Sequence, residues 1–134
     1  MNEKTKGGDA PGGAETGASK PRLLIVEDDL RSSSALATLF RHLGFEIACA
    51  ATVAEGTRLL QWNPSFMLLD LMLPDGNGKL ILQQVRATNM PVRVAVTTGV
   101  DDSLLMSEVS ALNPDAMYRK PLDLDKISRW LMRS

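Results

Sequence analysis

The feature that most constrains this chain is a repeated exchange between two periodicities. Short unbroken apolar runs alternate with stretches whose apolar residues recur every three or four positions. Leu23-Leu24-Ile25-Val26 is the first run. It is too short for a buried helix and apolar at every position, as a strand covered on both faces must be. Leu36, Leu39, Phe40 and Leu43 follow at helical spacing and predict an amphipathic helix ending near Gly44. Phe45 to Ala50 predicts a second, weaker strand. Thr52 is placed to cap a helix reaching Trp62, with Glu55 at the capping-box position and Asn63-Pro64 as the break. Phe66 to Leu69 predicts the third strand, closed by Asp70, and Lys79 to Ala87 the third helix. Val92 to Val96 reads as a fourth strand and Asp101 to Leu112 as a fourth helix. Ala116 to Tyr118 is a short fifth strand, with a last helix from about Leu122. Five strands alternating with five helices imply an α/β fold, an open parallel sheet with helices on both faces.

This pattern begins only after residue 20. Residues 1–20 hold five of the ten glycines and no aromatic or branched aliphatic side chain. Nothing there offsets the entropy of ordering, so a flexible tail is expected before one domain over residues 21–134. Fifteen basic residues face sixteen acidic ones, a net charge of −1. That balance lacks the basic face on which direct nucleic-acid binding depends. One cysteine and one histidine exclude an intrachain disulfide, a thiolate zinc cage and a histidine metal cluster. Cys49 is expected as a small packed side chain in the second strand, and His42 as an exposed residue of the first helix. No apolar run reaches the ~18 residues of a membrane span, and no secretory signal opens the chain. A cytoplasmic location is the expectation.

In open parallel sheets, chemistry gathers beyond the carboxyl ends of the strands. Strand one ends in Glu27-Asp28-Asp29, strand three in Asp70, strand four in Thr97-Thr98, and Lys120 follows strand five. Clustered carboxylates repel one another unless a cation neutralises them. Oxygen donors without imidazole or thiolate select a hard ion such as Mg²⁺. A carboxylate beside such an ion can serve as a nucleophile, with a lysine and a hydroxyl contacting phosphoryl oxygens. Phosphoryl transfer to an aspartate fits these residues.

Four strings at successive strand ends carry a resemblance: Leu-Ile-Val-Glu-Asp-Asp (24–29), Leu-Leu-Asp-Leu-Met-Leu-Pro-Asp-Gly-Asn-Gly (68–78), Val-Thr-Thr-Gly (96–99) and Arg-Lys-Pro-Leu (119–122). From about Arg22 onward the chain resembles the receiver domain of bacterial two-component response regulators. The resemblance implies a flavodoxin-like, doubly wound five-stranded sheet in the order 2-1-3-4-5. It implies that Asp70 is the phosphoacceptor, that Asp28 ligates Mg²⁺ directly with Glu27 acting through water, and that the Met72 carbonyl is a further ligand. Thr98, just before Gly99 and 22 residues before Lys120, becomes the switch hydroxyl, and Lys120 the phosphoryl-binding lysine. The Lys120-Pro121 bond is expected to be cis. Asp29 falls just outside the site as a helix cap.

The resemblance further implies a partner histidine kinase or phosphotransfer protein. It places a downstream protein partner on the face of the fourth helix, fifth strand and last helix, where two copies of the chain can also pair. The protein would not be a conventional enzyme; it would catalyse its own phosphorylation and slow dephosphorylation. Met72 and Val100 flank the acceptor and the hydroxyl and are both apolar, so neither can orient an attacking water. One departure stands out. The family often has an aromatic residue three places before the lysine; here that place is Met117, and Tyr118 follows it. Strand alternation sends the two to opposite faces. The competing reading is a receiver-like interaction module that works without phosphorylation. An aspartyl-phosphate phosphatase fits less well, because the place of its second aspartate is Met72.

Overall fold

The computed structural model describes residues 19–99 and 101–133. Val100 and residues 1–18 of the expected tail lie outside the described residues. The strands are Arg22–Val26 (β1), Glu46–Ala50 (β2), Phe66–Asp70 (β3), Arg93–Thr98 (β4) and Ala116–Arg119 (β5). The helices are Leu30–His42 (α1), Val53–Leu59 (α2), Lys79–Ala87 (α3), Ser103–Ala111 (α4) and Leu124–Arg133 (α5). The five strands are parallel and ordered β2-β1-β3-β4-β5, the predicted topology. A two-residue antiparallel ribbon, Met72–Leu73 against Gly76–Asn77, shapes the loop after β3.

Strand alternation divides the core into two layers. Leu23, Ile25, Phe66 and Leu68 face α1 and α5, meeting Leu36, Phe40, Ile127 and Leu131. Leu24, Val26, Met67 and Leu69 face the other way, toward Ile81 and Val85 of α3 and Leu105 and Val109 of α4. Each such side chain contributes about 1.5–3 kcal/mol by leaving water. The inner positions of the central strands are therefore apolar. β2 lies at the sheet edge, and that position corrects the expectation for Cys49, which is exposed.

Capping side chains correct several helix boundaries. The fourth helix starts at Ser103 because the Asp102 carboxylate accepts from the Leu104 and Leu105 amides at 3.0 and 3.1 Å. The last starts at Leu124, where Asp123 Oδ1 accepts from the Lys126 amide at 3.2 Å. Thr52 Oγ1 takes the Glu55 amide at 3.0 Å. Glu55, however, returns to the Ala51 amide at 2.9 Å, one residue before the reciprocal bond of a capping box. After Leu59 the α-helix tightens into a 3₁₀ turn over Leu60–Trp62. The fourth strand continues past Val96 and so carries Thr97 and Thr98 to the sheet's upper edge. Among the described residues, no helix is long and apolar enough to cross a membrane.

Candidate functional site

The parallel register delivers the chemistry to one edge. β1 ends beside β3, pairing Val26 with Leu69, so Glu27 and Asp70 emerge as neighbours. β3 pairs with β4 as far as Asp70 opposite Thr97, and Thr98 of β4 then pairs with Arg119 of β5. Lys120 follows immediately, its amide donating to the Thr98 carbonyl at 2.9 Å. Its ammonium then reaches inward across the strand ends.

There Lys120 Nζ donates to Glu27 Oε1 at 2.7 Å and to Asp70 Oδ2 at 2.9 Å. The second oxygens are also engaged. Glu27 Oε2 accepts from the Asp29 amide at 3.1 Å, and Asp70 Oδ1 from the Met72 amide at 3.3 Å. Both carboxylates are buried, at 5% and 4% exposure, where an uncompensated charge would be costly. Burial pulls the Lys120 ammonium toward neutrality, but its bonds to Glu27 and Asp70 outweigh that and hold its pKa above the ordinary lysine value. Asp28 is exposed beside the pair. Glu27, Asp28 and Asp70 each offer an oxygen within 4.8 Å of the others. Three carboxylates against one ammonium leave two excess negative charges. The donor set therefore fits a hard divalent cation in charge and in chemistry.

The structure thus brings together Glu27, Asp28, Asp70 and Lys120. Met72 sits at the rim, 55% exposed. Thr97 and Thr98 are both buried. Val94 and Val96 belong to the α3/α4 layer and Ala95 to the other, so alternation puts Thr98 on the α3/α4 side and Thr97 on the α1/α5 side. Met117 lies opposite Val96 and shares the side of Thr98. Tyr118 packs into the α1/α5 layer, where burial pushes its phenol pKa up against the pull of Arg133. The expected separation of Met117 from Tyr118 is what the sheet contains. Asp29 caps α1 outside the site, accepting from the Arg31 amide at 3.1 Å and the Ser32 hydroxyl at 3.0 Å; these bonds, led by that from Ser32, lower its pKa. The Lys120–Pro121 bond is cis.

Three roles went unread in the sequence. Asp75 accepts from the Val53 and Ala54 amides at 2.7 and 3.0 Å and so caps α2 from the loop after Asp70. Arg86 donates to the Leu112 and Asn113 carbonyls at 3.0 and 2.6 Å, clasping the end of α4 from α3. Gly78 is buried against the acceptor itself: a Cβ there would overlap the Asp70 carbonyl oxygen. Asp75-Gly76 and Asn77-Gly78 are turn-forming pairs by residue type, but that type says nothing of the partners these residues take elsewhere in the chain.

This combination of a 2-1-3-4-5 sheet and an acid–lysine cluster at its carboxyl edge defines a class. The sequence profile described as the response regulator receiver domain matches residues 23–131, and the chain belongs to that family. It is similar to the photosynthetic apparatus regulatory protein RegA of Rhodobacter capsulatus, with 31% identity over 89% of this chain and 65% of the relative. It is also similar to the transcriptional regulatory protein CpxR homolog of Haemophilus influenzae, with 34% identity over 81% of this chain and 48% of the relative. The chain thus spans about half to two thirds of the length of these relatives. Among solved structures, the response regulator receiver protein from Pseudomonas putida superposes with a TM-score of 0.81, covering 88% of this chain and 100% of the other at 22% identity. A CheY-like receiver domain protein from Methanospirillum hungatei gives 0.77, covering 86% and 96% at 26% identity. The chain is a receiver domain of two-component signalling.

Proposed function

We propose that Asp70 accepts a phosphoryl group from a partner histidine kinase or phosphotransfer protein in a Mg²⁺-dependent reaction. The observation that carries this reading is the Lys120 ammonium bridging Glu27 and Asp70 beside the exposed Asp28. An Asp70 oxygen attacks phosphorus, the P–N bond of the donor phosphohistidine breaks, and the departing imidazole nitrogen takes up a proton. Lys120 then exchanges one carboxylate contact for a phosphoryl oxygen, and the Thr98 hydroxyl donates to another. Asp28, Asp70 and the Met72 carbonyl would hold the cation, with Glu27 acting through water. When bound, it neutralises charge on the phosphoryl oxygens during in-line transfer. Asp70, Thr98 and Lys120 thereby catalyse the chain's own modification.

Apolar Met72 beside the acceptor supports slow loss of the phosphoryl group, since its side chain cannot orient water; Val100 is assigned the same role from the sequence. Met117 takes the place of the switch residue on the side of Thr98, and Tyr118 is a packing residue. Output passes to a protein partner through the face of α4, β5 and α5, in the cytoplasm and without direct contact with nucleic acid; two copies can pair through the same face. Residues 1–20 serve as a tail to the domain at 21–134.

Intact mass after incubation with acetyl phosphate and Mg²⁺ tests the reading. One phosphoryl adduct is expected in the wild type and none in Asp70→Asn. Absence of the adduct together with absence of Mg²⁺ binding would overturn it in favour of a module that acts without phosphorylation.

A further inference from the structure

Six of the thirteen Lys and Arg side chains among the described residues are ion-paired. Arg22, Arg58, Lys79, Arg86, Arg119 and Lys120 each have a carboxylate within 4.0 Å. The outer face of α5 is different. Lys126, Arg129 and Arg133 recur at helical spacing, all exposed, and line a shallow cleft of about 250 Å³ with Tyr118 and Trp130. Among the described residues, none of the three side chains has a hydrogen bond or an ion pair. Asp125 stands one turn before Arg129 without pairing to it. A fourth cation adjoins the cleft, with the Arg93 guanidinium 5.8 Å from the centre of the Trp130 ring. Trp130 is itself fixed edge-on against Phe66, centroids 5.6 Å apart, so the aromatic floor is rigid.

Like charges along one helix face repel, and the arrangement is unfavourable for α5 alone. An occupant bearing carboxylates removes that cost. A rigid aromatic floor between the cations adds a seat for one apolar side chain. We infer that this cleft binds an acidic segment of a partner protein, with carboxylates flanking one aromatic or aliphatic residue. Two observations favour a peptide over a nucleic acid. The cationic row spans only eight residues of helix, about 10 Å from first to last, too short to track a phosphate backbone. The chain as a whole is also slightly acidic, at −1, and repels an extended polyanion. The inference gives chemistry to the output face proposed above and rests on that reading only for its place in signalling.

The chain's two tryptophans make the test internal. Trp62 lies under Arg22 and packs against the α3/α4 layer, on the opposite face of the sheet from Trp130. The ¹⁵N-labelled full chain is titrated with a short peptide of glutamates flanking a central phenylalanine. The Trp130 indole resonance is expected to shift saturably and that of Trp62 to stay fixed, with the response fading as salt is raised. Arg129→Glu combined with Arg133→Glu should weaken binding about tenfold, which is about 1.4 kcal/mol. The milder double change to Gln should weaken it less, while the acetyl phosphate adduct is unchanged in both. No shift at Trp130, an equal shift with a glutamine-for-glutamate peptide, or tighter binding of duplex DNA would overturn the inference. Loss of the adduct in the wild type with the Trp130 shift intact would overturn the acceptor reading alone.

Discussion

The edge around Asp70 and the outer face of α5 use the same kinds of charged side chain to opposite ends. At the strand ends, Lys120 is compensated by two buried carboxylates whose every oxygen is engaged. Along α5, three cations stand exposed with no carboxylate partner among the described residues. Burial makes the pairing within the first group costly to break. Exposure leaves the second nearly free in energy and available for a partner. Charged residues thus report on structure or on recognition according to what surrounds them, and substitutions should separate the two.

The largest effect is expected at Gly78→Ala. The new methyl group meets backbone, not a side chain that can turn away, so the loop and Asp70 must shift together. A loss of about 3 kcal/mol in urea unfolding is expected, at the upper end for an overpacked site. Lys120→Met comes next. It strands the like charges of Glu27 and Asp70, and a loss of roughly 2 kcal/mol is expected. Added Mg²⁺ should recover part of this by supplying the missing positive charge. On the other face, Arg129→Ala and Arg133→Ala should each change stability by no more than about 0.5 kcal/mol. A large loss there would erase the contrast.

The smallest effect concerns pH. Bonds from the Val53 and Ala54 amides hold the Asp75 carboxyl below its ordinary pKa. Its contribution is therefore complete above the unfolded carboxyl's pKa and is lost as pH falls through the lower folded value. The Val53 and Ala54 amide resonances should move together only in that acidic range, and Asp75→Asn should abolish the movement. Titration at the ordinary carboxyl pKa would show that the cap is not closed in solution.

The parts of this molecule that could be read from sequence are those whose cause is local. Leu23 to Val26 declared a doubly covered strand because every position is apolar, and Asp70 declared its place because the run stops there. The offset between Met117 and Tyr118 was legible for the same reason, since alternation needs only neighbours. Asp75 was opaque because the amides it satisfies come 21 and 22 residues earlier. Cys49 was misread because the edge position of β2 belongs to the topology. The basic spacing of Lys126, Arg129 and Arg133 was visible, but that no described residue pairs with them is a property of the assembled fold.

Opposite the acceptor, three elements stop in one way. The 3₁₀ turn after α2, the third helix and the fourth helix are followed by Asn63, Asn89 and Asn113, with φ of 59°, 52° and 52°, a left-handed conformation that asparagine tolerates better than most residues. β3, β4 and β5 then begin within three or four residues. For an engineer the domain is consequently one-sided. Its lower connections are turnarounds with no slack, where an inserted residue displaces a strand, while the upper loops carry the site and, through Asp75, a cap of α2. Length added at the lower end moves a strand, and at the upper end it is tolerated only outside the loop that holds Asp75 and Gly78.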